Sequence, residues 1–145
     1  MFKTILIACD GSNQSSKALD KAIGLARLSD AELLILTVYR HHSMTEASLS
    51  MVQGRKHATP DEALSEYARE IVDSGRNTAR EAGVAKVRAF VRSGHPARAI
   101  VEFAKNHDAD LIVVGARGAG SMDGFFLGSV SHKVTGLSSI PVLVV

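Results

Sequence analysis

The chain has 145 residues, of which 46% are apolar, enough for a packed core and too many for a disordered chain. Seventeen Lys and Arg against fifteen Asp and Glu leave a formal charge of +2, and the basic residues are scattered, which argues against a dedicated nucleic-acid surface. A single cysteine excludes an internal disulfide and a Cys-x-x-Cys metal site and fits a reducing compartment, and no apolar run nears the ~18 residues of a membrane span.

Residues Thr4 to Cys9 form an unbroken apolar run, the habit of a strand buried on both faces. Asp10 and Gly11 follow at once, so the start reads as strand and turn rather than as a secretory signal. Ala18, Leu19, Ala22, Ile23 and Ala26 recur at helical spacing, with Ser12 or Asn13 as cap and Asp30 after the end. Glu32 to Tyr39 is a second buried strand, which completes a βαβ unit. Arg40 to Pro60 breaks the pattern with His41, His42, three serines and two methionines. We read it as a flexible insertion with a helical piece at Thr45 to Val52. Asp61 to Ala82 reads as one long helix, with Pro60 at its start and Gly83 just past its end. A third strand lies at Val87 to Val91, a helix follows Gly94-His95-Pro96, and Asp110 to Val114 is a fourth strand. A short helix after Leu127 and a final strand, Pro141 to Val145, end the chain. Buried strands alternating with helices predict an α/β fold. We expect one domain over residues 1–145, an open, mostly parallel five-stranded sheet with helices on both faces, Rossmann-like.

Five of the twelve glycines lie between Gly115 and Gly128, directly after the fourth strand and ahead of a helix. Glycine lets backbone N–H groups approach an anion closely, and a helix opening at Gly128-Ser129 would offer free amides and the positive end of its dipole to phosphate. The hydroxyls of Ser129 and Ser131 are further donors. The alternative is a flexible glycine-rich surface loop. Asp10, at the same sheet edge, suits a ribose hydroxyl or a divalent ion on phosphates, or else is an ordinary turn residue. Val38, at the end of the second strand, can offer backbone groups to a base edge or be a plain strand residue.

Better-known signatures are missing. There is no GxxxxGK[ST], no GxGxxG in the first strand-to-helix turn, and no GxSxG. Cys9, inside a buried run, reads as a small core residue rather than a nucleophile. The histidines lack metal spacing, and His95 reads as a turn residue.

These residues resemble the universal stress proteins, UspA-like α/β domains, over essentially the whole chain. The likeness rests on Asp10-Gly11-Ser12, Ser93-Gly94-His95-Pro96, Asp110 to Gly115 and Pro141 to Val145, and above all on Gly115, Gly118, Gly128 and Ser129, which complete the G-2x-G-9x-G-[S/T] pattern of ATP-binding members. The resemblance implies a sheet order of 3-2-1-4-5 and a bound ATP, ADP or AMP with Mg2+ or Mn2+. Ala8, Cys9 and Asp10 would border the nucleotide, Asp10 on its ribose and metal side, and Val38 would meet adenine. Val114, Gly115, Arg117 and Gly118 would line the ribose and phosphates, and Gly128, Ser129, Val130 and Ser131 would hold the phosphates. It also implies a homodimer through Val142 to Val145, with a tetramer as the larger assembly. Residues His41 to Ser43 and Glu46 to Met51 are similar to a branch associated with TRAP-type solute transporters, which names a transporter as one partner. Expected, then, is a cytoplasmic ATP-binding regulatory protein with little or no turnover, not embedded in a membrane and not a nucleic-acid binder. The alternatives are a slow Mg-dependent ATPase built on Asp10 with Arg117 or Lys133, and a scaffold whose assembly nucleotide modulates.

Overall fold

The computed structural model describes residues 1–40, 59–117 and 127–145. The elements, in order, are β1 (Thr4–Ala8), α1 (Asn13–Ser29), β2 (Glu32–Tyr39), α2 (Pro60–Glu81), β3 (Val87–Ser93), α3 (Pro96–Asn106), β4 (Leu111–Val114), α4 (Ser129–Leu137) and β5 (Val142–Val144). The strands lie in the order β3-β2-β1-β4-β5, as expected, and every described pairing is parallel. Arg117 is described; Gly118, the expected helical piece at 45–52 and most of the expected insertion lie outside the described residues.

The unbroken apolar runs are explained by burial on two faces. Ile5, Ile7, Leu33, Ile35, Leu111 and Val113 point to one side, where α1 and α2 cover them. Leu6, Leu34, Leu36, Ile112 and Val114 point to the other, under α3 and α4. Successive side chains alternate sides, so a central strand covered twice leaves few positions for a polar residue; Thr37 of β2 is the buried exception among the described strand residues. Ile5, Leu6, Ile7 and Leu33 to Leu36 have no exposed surface at all.

Helix ends follow their local chemistry. Ser12 caps α1, its hydroxyl accepting the Ser15 N–H at 3.1 Å. Asp30 then closes the helix in the left-handed region, with φ +53. Thr59 and Glu62 form a reciprocal capping box at the start of α2, with Pro60 in its first turn. The helix runs one residue ahead of the expected Asp61 start because that box secures Pro60 within it. Gly83, at φ +96, turns the chain away after its end. The starts of the two central strands are tied together by Asp110, whose carboxylate accepts the N–H groups of Lys3 at 2.8 Å and Thr4 at 3.2 Å.

Candidate functional site

The sheet order places β1 beside β4, and the connections leaving their carboxyl ends part there: α1 packs on one face and α4 on the other. Such a switch point opens a crevice, since no crossover covers the gap between the two strands. Here the crevice is a cleft of about 400 Å3. Its floor comes from Ala8 and Cys9 at the end of β1 and from Val114 and Gly115 at the end of β4. Val38 and Arg40 line one side at the end of β2, with Pro96 and Ile100 of α3 next to them. Gly128, Ser129, Val130 and Ser131 form the mouth, and Asp10 and Ser15 close the α1 side.

Two glycines are required by the geometry. Gly11 sits at φ +84, and a Cβ there would come within 3.2 Å of both Ile71 Cδ1 and the Tyr67 hydroxyl. That turn is fastened by Asp10, whose Oδ1 accepts the Ser12 N–H at 2.9 Å. At Gly115 a Cβ would lie 3.2 Å from the backbone carbonyl carbon and oxygen of Gln14. The exit of β4 therefore presses against the first turn of α1, and the missing side chain is what lets them touch. Ser15 links the same region, donating to the Ser12 carbonyl at 3.0 Å and accepting the Asp10 N–H at 3.4 Å.

The helix that opens at the mouth is built differently from α1 and α2. Gly128 occupies its cap position and supplies no side-chain bond, and His95 at the head of α3 supplies none either. First-turn amides with no internal partner carry partial positive charge, so an uncapped helix start facing a cleft is a favourable place for an anion. Ser131 is 3% exposed, and its hydroxyl lies 2.8 Å from the Ala116 carbonyl and 3.0 Å from the Gly128 carbonyl. Its proton is therefore directed to the backbone. The expected donation to phosphate would come from the Ser131 amide and from Ser129. The Gly128 N–H also donates to the Ala116 carbonyl, at 2.6 Å, and the Ala116 N–H donates to the Val145 carbonyl at 2.7 Å. Together these bonds tie the two ends of the glycine-rich stretch to each other and to β5. That tie gives a physical reason for a fixed spacing between Gly115 and Gly128.

Arg117, expected on the phosphate side, is not among the described residues lining the cleft. Ala116, the residue before it, bonds both to Val145 of the sheet edge and to Gly128 at the mouth. Burial pushes the Cys9 thiol up to about 12, and the neighbouring Asp10 charge adds to the shift. Asp10 is the one carboxylate among the described lining residues, and no group of three or more His, Cys, Asp or Glu suited to a metal occurs among the described residues. One carboxylate beside a phosphate site fits a Mg2+ ion that arrives on the phosphates, not one caged by protein alone.

The sequence reading did not single out Ser15, Arg40, Pro96 or Ile100. Ile100 carries a weak signal, since it lies on the apolar stripe of α3. Nothing in the sequence says that this stripe ends against Val38, because that depends on which face of the sheet α3 covers.

Comparison with known proteins places this architecture. The model of the universal stress protein family matches residues 1–145. The universal stress protein YxiE of Bacillus subtilis (strain 168) is 41% identical over 148 residues, covering 100% of this chain and 99% of the relative. The solved hypothetical protein MJ0577 is similar with a TM-score of 0.82 and 27% identity, over 100% of this chain and 96% of that one. A universal stress protein solved in complex with cAMP is similar with a TM-score of 0.70 and 29% identity, over 99% of this chain and 96% of that one. Fold and family model agree, and the chain belongs to the universal stress protein family.

Proposed function

We propose that the chain is a regulatory adenine-nucleotide-binding protein, taking ATP, ADP or AMP in the cleft at the β1/β4 switch point with Mg2+ or Mn2+ on the phosphates. The observation that carries this reading is the start of α4, where the first turn at Ser129 to Ser131 lines the cleft without a capping side chain. Apolar walls at Val38 and Ile100 suit the flat base, and Asp10 stands where a ribose hydroxyl or a phosphate-bound cation would meet a carboxylate. The relative solved with cAMP supports an adenine nucleotide as the ligand class. Turnover is slow or absent in this reading, and the output is a change in assembly with itself or with a partner such as a solute transporter.

Calorimetry with ATP and Mg2+ on the wild type and on Ser129→Asp tests it. A carboxylate in the first turn favours the helix by ~0.3–1 kcal/mol, so the fold is retained, yet it repels a phosphate from the same amides. The expected result is a loss of affinity of at least about ten-fold, equivalent to ~1.4 kcal/mol, with no fall in Tm. Equal affinity in the two proteins overturns the reading.

A further inference from the structure

Beside the cleft lies a second open cavity of about 570 Å3, and Arg40, Pro96, Ser129 and Val130 line both. Past this shared wall, the second cavity is lined by His95 and Arg98 at the start of α3 and by His132 and Lys133 of α4. Its cationic side chains thus come from three places: the end of β2, the head of α3 and the body of α4. No Asp or Glu is among its described lining residues. Among the described residues, Arg40, Arg98 and Lys133 make no ion pair, although Arg76 and Arg88 each have one.

Converging cations with no carboxylate between them repel one another and raise the local concentration of anions. The space is much larger than a single phosphate needs and falls in the range of cavities that hold small organic ligands. Its rim also carries apolar surface. Leu137 is 52% exposed there, and the flat rings of His95 and His132 stand on the same lining. A cationic entrance next to the phosphate mouth, followed by an apolar rim with planar side chains, matches a phosphate chain that ends in a second nucleoside.

We infer that this cavity seats the far half of a dinucleoside polyphosphate whose first adenosine lies in the neighbouring cleft. The inference rests on the nucleotide reading of that cleft. The phosphate chain crosses at Ser129 and Val130, Arg98 and Lys133 meet its distal phosphates, and the second nucleoside lies along Leu137.

Calorimetry at about 0.1 M salt, with AMP, ATP, adenosine 5′-tetraphosphate and diadenosine tetraphosphate, tests this on the wild type and on the Arg98→Ala/Lys133→Ala double variant. Both side chains are exposed, so the variant retains the fold. The wild type should bind diadenosine tetraphosphate about ten-fold more tightly than ATP, with adenosine 5′-tetraphosphate between them. The double variant should bind the dinucleotide no better than ATP and bind AMP as the wild type does. If AMP and ATP bind but the dinucleotide shows no gain, or if the gain survives in the double variant, this inference is overturned and the nucleotide reading stands. Adenosine 5′-tetraphosphate binding as tightly as the dinucleotide overturns the second nucleoside. Failure of AMP and ATP alike overturns the nucleotide reading and this inference with it.

Discussion

Cys9 follows β1 on the cleft floor with 8% of its surface exposed. The thiolate is the reactive form of cysteine, and desolvation together with the Asp10 charge pushes this thiol up from 9.0 to about 12. Three pKa steps correspond to about a 1000-fold smaller thiolate fraction at pH 8 than in the unfolded chain. Iodoacetamide should therefore alkylate the native protein at pH 8 about 1000-fold more slowly than the urea-unfolded one, as followed by mass spectrometry. The rate should climb with pH up to about 12; a native rate within ten-fold of the unfolded rate would show that the thiol is not so placed. The same shift has a consequence for stability. A thiol raised in the folded state contributes stability in full below its unfolded pKa near 9 and loses it as pH rises toward 12. That Cys9 is a core residue was legible from its place in an apolar run. That it also floors the cleft came only from the family resemblance, because the run by itself does not say where the strand stops and the crevice begins.

At the scale of elements, the helix starts divide into two kinds. Ser12 and Thr59 cap α1 and α2 with side-chain bonds, whereas α3 and α4 begin at His95 and Gly128 without one. A cap of the first kind contributes ~1 kcal/mol. Ser12→Ala should therefore lower the unfolding free energy by about 1 kcal/mol in urea with an unchanged m-value, while Ser12→Asp should hold it near the wild type. A loss below about 0.3 kcal/mol in Ser12→Ala would mean that the Ser15 amide finds another partner. The uncapped kind is the candidate binding element, and half of this contrast was readable in advance. Gly128-Ser129 at a strand-loop-helix junction announces an open helix start. The Ser131 hydroxyl was expected at phosphate, and it lies instead on the Ala116 and Gly128 carbonyls. Those acceptors come from both ends of the glycine-rich stretch, and their meeting is a product of the folded loop.

At the scale of the whole molecule, β5 forms one edge of the sheet. β5 pairs with β4 on one side, and Val142 to Val144 remain only partly buried. The Pro141 carbonyl accepts from Ile112, and the Val145 N–H donates to Val114, so residues of odd number bond inward. The intervening N–H of Val144 then points to the free edge, where an apolar strand invites pairing. A homodimer through antiparallel pairing of two such strands should appear by light scattering at micromolar concentration. Val144→Pro removes one outward donor while leaving the β4 ladder intact, and should give a folded monomer. A wild-type monomer, or a Val144→Pro dimer, would place the interface elsewhere.

By itself the sequence determined the alternation of buried strands and helices, and so the parallel sheet. A strand covered on both faces is apolar at nearly every position, and that is visible in Ile5 to Ala8 and in Leu111 to Val114. It also announced the phosphate-type junction at Gly115 to Ser129, because glycine spacing and helix starts are local properties. Tertiary structure alone decided that α3 lies over the end of β2, bringing Pro96 and Ile100 to the cleft beside Arg40. It alone set Arg98 and Lys133 around a second cavity. These outcomes depend on which face each crossover covers, and that is settled by packing between segments far apart in the chain.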